Sequence, residues 1–487
     1  MSPIKICNKK AKRIKVLTKY AVNTNMNISI NDVFRYFMSI DCIKQDGQLS
    51  QDEYEKAIKT NSIFSSILIE NMTREQYFTT FVNKYKDIIN NGDGSNGKNL
   101  PFKMETMSEV QELNWEAITR VLTKDEIDRK PFDINTTEGQ GISSTINFNT
   151  ADGLYMLKHL SFDKEAFKNF PIENLPENWN PNEIFELGKD PGMNVRKMNE
   201  MGYTGKNITV AVVDTPIIKH NDIESSLVGY EVMNNALALN MSADYHGQAV
   251  SGILCGDETG VAPDSNLVYF AKQDNLNDGL QALRRIIEIN NTAEKENQPE
   301  NKIRVVSLSW GFNEDDEGYE EFRSLLKELY DNDVFVVTAD FNMLDENITG
   351  GNLALGTLEK NNQQGNPNDY TNYKPELEMY GYPDSTLLVL AGDKTVASAK
   401  NPNNFRHDSK GSTSWSRPVL AGIYTCALQC ADENNIKLTP KMFWEYAYKT
   451  GQDMYENGEV VGRAIDAEAL INAMLEDANI SKSNFGL

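Results

Sequence analysis

Cysteine is scarce in this chain. There are five in 487 residues, at positions 7, 42, 255, 426 and 430. They are too few and too scattered for a disulfide framework, and read as reduced thiols of a cytosolic protein. Long apolar runs are also missing. None approaches the roughly eighteen residues of a membrane span. The basic opening stretch, MSPIKICNKKAKRIKVLTKYAVN, lacks the unbroken apolar segment of a secretory signal. The expectation is a cytoplasmic chain with no membrane span. Positive charge is in deficit, with 48 Lys+Arg against 71 Asp+Glu and a net charge of −23. That balance excludes a mainly electrostatic nucleic-acid binder. Proline is thin over residues 1–170, which hold only Pro3, Pro101 and Pro131.

Apolar residues make up 40 % of the chain and aromatics 9 %. That is enough for a sizeable core and argues against global disorder. The length suits roughly two to four domains. Residues 1–20 carry Lys5, Lys9, Lys10, Lys12, Arg13, Lys15 and Lys19 with no acid. On so acidic a chain this segment is expected to dock on an acidic face of the same molecule, ahead of an anionic membrane. Val33, Phe34, Tyr36, Phe37 and Ile40 form a stripe at helical spacing, and Ile63, Ile67 and Leu68 begin another. Residues 90–99 are a polar loop, and helical pattern returns over 107–122. Pro171, Pro176, Pro181 and Pro191 sit among Asn and Glu. They mark 171–191 as a linker between a helical N-terminal regulatory or pro-like region, 1–170, and a second domain, 192–487.

After Gly192 the texture changes. Short Val- and Ile-rich runs occupy 208–213, 267–271, 303–308, 334–337 and 387–391. Amphipathic segments separate several of them: Leu280, Leu283, Ile286 and Ile287 follow one helical stripe, and Phe322, Leu325, Leu326 and Leu329 another. Strands buried on both faces and alternating with helices predict an α/β fold, a parallel sheet flanked by helices. Residues 351–380 break this rhythm and read as a surface insertion.

Four segments carry chemistry. A buried strand delivers Asp214 at its C-terminal end, where open parallel sheets place their sites. His246-Gly247 opens a small-residue helix. The run VFVVTADFN ends a strand in a polar turn with Asn342. Ser414 lies in GSTSWSRPVLAG, just before the helix that Pro418 starts. Each alone is weak, but together they give Asp, His, Asn and Ser in one order, each at the end of an element.

With those motifs in view, residues 192–475 resemble the subtilisin-like serine proteases. GMNVRKMNEMGYTGKNITVAVVDTPI is similar to the family's first strand and Asp motif, HNDI at 220–223 to the segment after it, and HGQAVSGILCG to the His motif. Gly260-Val261-Ala262-Pro263, VVSLSWG, STSWSRPVLAG and VVGRAIDAEALI resemble later family segments in the right order. The resemblance implies a subtilisin-like fold and a catalytic triad. His246 would be the base, Asp214 would orient and stabilise its imidazole, and Ser414 would be the nucleophile. Asn342 would donate to the oxyanion; removing such a donor costs roughly 2.7–4 kcal/mol, a magnitude known for this family's own Asn. The backbone of Ser309, Trp310 and Gly311 would pair with an extended peptide or protein substrate.

Several positions depart from the family pattern. Pro216 follows Asp214-Thr215, Gln248-Ala249 follow His246-Gly247, and Asp340-Phe341 precede Asn342. Trp415, Arg417 and Val419 stand where the family has Met, Ser and His. Arg417 could select acidic or C-terminal groups, or pair with a nearby carboxylate. His159 and His220 read as turn or surface residues, His407 as a solvated loop residue that could line the cleft, and Cys255 as a buried inert thiol.

The stretch DCIKQDGQLSQDE offers Asp41, Asp46 and Glu53 as an EF-hand-like set. Its first half lacks the carboxylates that calcium wants, so a plain helix–turn–helix stands beside the calcium reading. The resulting expectation is a serine endopeptidase of narrow specificity, regulated or devoted to maturation. It would need no cofactor for its chemistry and would use its own N-terminal region as inhibitor or docking module, with autoprocessing near the linker. The alternative is a catalytically dead relative that captures peptides as a scaffold.

Overall fold

The computed structural model describes residues 102–105, 107–108, 118–129, 142–233, 245–273, 276–339, 354–376 and 386–478, and the paired segments 28–29 and 89–90. The chain divides into two compact units, Met1–Thr106 and Met107–Leu487. In the first, Ile28–Ser29 pairs in parallel with Ile89–Asn90. The helical stripes read for this region otherwise fall outside the described residues.

The second unit starts upstream of the proline-rich stretch, so 171–191 does not separate two bodies. The prolines serve local structure instead. Helix α1 (Ala151–Lys158) leads to the short strand β1 (Phe162–Asp163), and Pro181 occupies the first turn of helix α2 (Pro181–Leu187). There its missing N–H costs nothing, and the Asn180 side chain caps the next amides. Phe148, Met156, Leu157, Leu160, Phe162, Phe167 and Ile184 share one buried cluster, against which Trp179 packs.

The central sheet holds β2 (Thr209–Asp214), β3 (Leu227–Val232), β4 (Asn266–Ala271), β5 (Ile303–Ser307) and β6 (Phe335–Val337). Their order is β3-β4-β2-β5-β6, and every pairing is parallel. All six residues of β2 are buried, which only a strand covered on both faces requires. Helices α3 (Tyr245–Cys255), α4 (Leu276–Lys295) and α5 (Tyr319–Asp331) alternate with these strands, as the apolar stripes predict.

A second sheet is built from β7 (Leu355–Lys360), β8 (Tyr373–Glu376), β9 (Leu387–Leu390), β12 (Gln452–Glu456) and β13 (Glu459–Ala464), in the order β8-β7-β9-β13-β12. This corrects the reading of 351–380 as a surface insertion: Leu355, Leu358 and Tyr373 are buried, and β7 pairs in parallel with β9. Strands β10 (Lys394–Ala397) and β11 (Phe405–Asp408) form a hairpin whose edge β1 joins, His407 opposite Phe162. His407 is therefore fully buried rather than solvated. His220 is buried too. Its Nδ1 accepts from the Asp222 amide at 3.1 Å and its Nε2 donates to the Asn404 carbonyl at 2.8 Å. Helix α6 (Ser412–Glu433) runs through the core, and helix α7 (Ala467–Asp477) follows β13.

Candidate active site

Three element ends converge. Strand β2 ends at Asp214, α3 opens with Tyr245-His246, and the first turn of α6 carries Ser414. Asp214 is buried, whereas His246 and Ser414 keep part of their surface. His246 Nδ1 lies 2.8 Å from Asp214 Oδ1. The same oxygen accepts from the Thr215 amide at 2.8 Å and its hydroxyl at 3.2 Å. Burial alone would raise the Asp214 carboxyl. The charge and hydrogen bond of His246, the Thr215 amide and the charge of Lys272 outweigh it and hold the carboxyl below its usual value. An ionised carboxylate makes Nδ1 the protonated nitrogen and leaves Nε2 as the basic one.

The backbone around this pair is tightly fixed. The Gly247 amide donates to Thr215 Oγ1 at 3.1 Å, and the Tyr269 hydroxyl donates to the Thr215 carbonyl. A Cβ on Gly247 would meet that carbonyl oxygen at 2.2 Å, so only glycine lets α3 approach β2 this closely. Gln248, a departure from the family pattern, is buried and accepts from the Ile218 amide at 3.0 Å, tying α3 to the segment beyond Pro216.

Ser414 sits at a helix N-terminus, where unpaired amides and the helix dipole favour negative charge. Trp415 is buried and packs on His246, ring centroids 5.4 Å apart. The Ser414 turn and the imidazole thus share one wall. Ser309, Trp310 and Gly311 continue from β5. Ser309 Oγ donates to the Ser414 carbonyl at 2.7 Å, and the Trp310 indole N–H donates to the Val213 carbonyl at 2.6 Å. The Trp310 carbonyl accepts from Thr338 Oγ1 at 2.9 Å.

Asn342 lies outside the described residues. Upstream of it, the Thr338 carbonyl accepts from Arg417 Nε at 2.8 Å, and Arg417 Nη1 donates to Ser416 Oγ at 2.8 Å. Arg417 is 1 % exposed, so it braces two elements and does not present its charge to the cleft as one sequence reading had it. Asp41, Asp46 and Glu53 also lie outside the described residues. Among the described residues no cluster of three or more His, Cys, Asp or Glu could hold a metal ion, and no helix is long and apolar enough to cross a membrane. Lys272, missed in the sequence, lies beside this group.

The model of the subtilase family, peptidase S8, matches residues 205–462. The serine protease AprX of Bacillus subtilis is 26 % identical over 311 residues, spanning 55 % of this chain and 67 % of AprX. Among solved structures, the prenylagaramide maturation protease PagA superposes with a TM-score of 0.42 at 15 % identity, over 57 % of this chain and 98 % of PagA. A protease from Pseudoalteromonas arctica gives 0.43 at 16 %, over 60 % and 97 %.

Proposed function

The chain belongs to the subtilase family and is a serine endopeptidase acting on peptide or protein substrates, and we propose from that premise that Asp214, His246 and Ser414 are its triad. The observation that carries this reading is the 2.8 Å contact of His246 Nδ1 with a buried, ionised Asp214. His246 Nε2 takes the Ser414 hydroxyl proton as Oγ attacks the scissile carbonyl. Asp214 stabilises the imidazolium and keeps its charge throughout. The tetrahedral oxyanion lies at the N-terminal end of α6, with Asn342 as side-chain donor. Collapse transfers the proton from His246 to the leaving amine, and a water activated by the same imidazole releases the acyl group.

The substrate main chain pairs with 309–311, held in place by the Ser309 and Trp310 hydrogen bonds. The bulky Trp415, tilted against His246, and the partly exposed Tyr245, edge-on to it, narrow the cleft and favour a restricted range of sequences, as a maturation or regulatory protease needs.

The test is digestion of an unstructured protein by wild type and Ser414→Ala, with every cut mapped by mass spectrometry. The proposal predicts few, recurring cleavage sites from wild type and none from the variant. Equal cutting by both overturns the role of Ser414, and cutting without sequence preference overturns the narrow range.

A further inference from the structure

Arg417 stands three residues after Ser414, near the start of α6, and is 1 % exposed. Its Nε donates to the Thr338 carbonyl and its Nη1 to Ser416 Oγ, each at 2.8 Å. Ser416 is fully buried, and its Oγ donates in turn to the Thr413 carbonyl at 2.8 Å. One guanidinium therefore grips the turn that carries Ser414 on one side and the end of β6 on the other.

Thr338 passes that grip on to the segment read as the substrate's partner. It follows the last residue of β6 and is buried. Its Oγ1 donates to the Trp310 carbonyl at 2.9 Å, and the Ala339 amide donates to the same oxygen at 3.3 Å. Next to Trp310, Ser309 Oγ donates to the Ser414 carbonyl at 2.7 Å. That carbonyl lacks its usual helical donor, because the residue four positions on is Pro418, which has no N–H. The hydrogen bonds thus close a ring through Ser414, Ser309, Trp310, Thr338, Arg417 and Ser416, and along the chain back to Ser414.

We propose that Arg417 is a positioning residue of the peptidase reaction, which sets the spacing between the Ser414 nucleophile and a substrate main chain bound along 309–311. The proposal rests on the triad and the substrate segment read above. Being buried, Arg417 acts through Thr338 and Ser416 and not on the substrate itself. Shape decides the residue type. A planar guanidinium offers a rigid fork to two separate acceptors, whereas a lysine ammonium is a single point on a flexible stem. Spacing matters only to a substrate that is held at both places. Attack needs the reacting atoms about 3–3.5 Å apart, and a misplacement of about 1 Å costs on the order of a hundredfold. A small fluorophosphonate is not held along 309–311, so it follows Ser414 wherever the turn goes.

The experiment compares two rates in the full chain, for wild type, Arg417→Lys, Arg417→Met and Ser416→Ala. One is kcat/KM, per titrated active site, on a fluorogenic peptide containing a site mapped in the digestion above. The other is the rate constant for inactivation by a fluorophosphonate. In both Arg417 variants kcat/KM falls about 10–100-fold, most of it in kcat, while inactivation changes by no more than about threefold. Ser416→Ala removes one of the two grips and falls in between, and it decides the matter if neither Arg417 variant folds. Equal losses for peptide and probe, or a lower Tm with an unmoved ratio of the two rates, make Arg417 merely structural and overturn the proposal. So does an Arg417→Lys variant with wild-type kcat/KM. Wild type that never reacts with the probe overturns the triad reading. Wild type that reacts, with every folded variant keeping the wild-type ratio, overturns this inference alone.

Discussion

The hydroxyl of Ser309 donates to the carbonyl oxygen of Ser414 at 2.7 Å. One side-chain hydrogen bond thereby fastens the segment proposed to bind the substrate backbone to the turn that carries the proposed nucleophile. Ser309 is only 8 % exposed, so the bond is shielded from water. Replacing Ser309 by Ala removes it without opening a large cavity. We expect kcat/KM to fall roughly 5–30-fold, about 1–2 kcal/mol, with little change in Tm. Steady-state kinetics beside a thermal melt checks this, and an unchanged kcat/KM contradicts it.

Gly247 sets the distance between α3 and β2. Gly247→Ala places a methyl group against the Thr215 carbonyl and the Tyr269 hydroxyl, both closer than contact allows. Overpacking of this kind costs about 1–3 kcal/mol. Here it also pushes His246 away from Asp214. The expected outcome is a lower Tm together with a loss of fluorophosphonate reactivity larger than the loss of stability explains.

The thiols of Cys255, Cys426 and Cys430 are buried. Burial pushes Cys255 up to about 12 and Cys430 to about 11, and Cys426 well above its ordinary value. Thiolate is the reactive form, so folded protein at pH 8 should leave all three unalkylated by iodoacetamide, and unfolded protein should not. Peptide mass mapping separates the outcomes, and rapid labelling of Cys255 in folded protein contradicts its burial at the end of α3.

Lys394 is also buried, with Nζ donating to the Pro191 carbonyl at 3.0 Å. Burial lowers its ammonium to about 7, with Asp190 opposing the shift. An unfolded lysine titrates near about 10.4, so between about pH 7 and 10 the unfolded chain binds more protons than the folded one. Stability therefore rises with pH over that window and is flat in this respect below about 7. Denaturant melts at pH 7, 8 and 9 should show the rise in wild type and a smaller one in Lys394→Met.

The residues proposed as the triad stood out because each lies inside a short motif at the end of an element with a distinct local pattern: an apolar strand before Asp214, a small-residue helix after His246, and, around Ser414, a small-residue run in a helix that begins at Ser412, ahead of the Pro418 start read from the sequence. Four of the five central strands were legible for the same reason; the fifth apolar run, 387–391, belongs to the second sheet, and β3, less uniformly apolar, went unread. Strand β7 was not, since LGTLEK mixes glycine, threonine and charge and is followed by a run rich in Asn and Gln. Only its pairing with β8 and β9 buries it. His407 misled in a similar way. Its polar neighbours look like a loop, and its burial comes from Phe162, far away in sequence. Prolines at 171–191 punctuate turns and helix starts as often as they mark linkers, which is why they misplaced the boundary. Lys272 carried no signal at all, because the Trp310 ring beside its ammonium comes from another part of the chain.

The proposed mechanism stands or falls on an activated serine at position 414. Treating folded wild type and Ser414→Ala with a fluorophosphonate and recording intact mass tests it directly. One adduct on wild type, located to Ser414, and none on the variant is the expected result. No adduct on folded wild type, or an adduct that persists in Ser414→Ala, contradicts it.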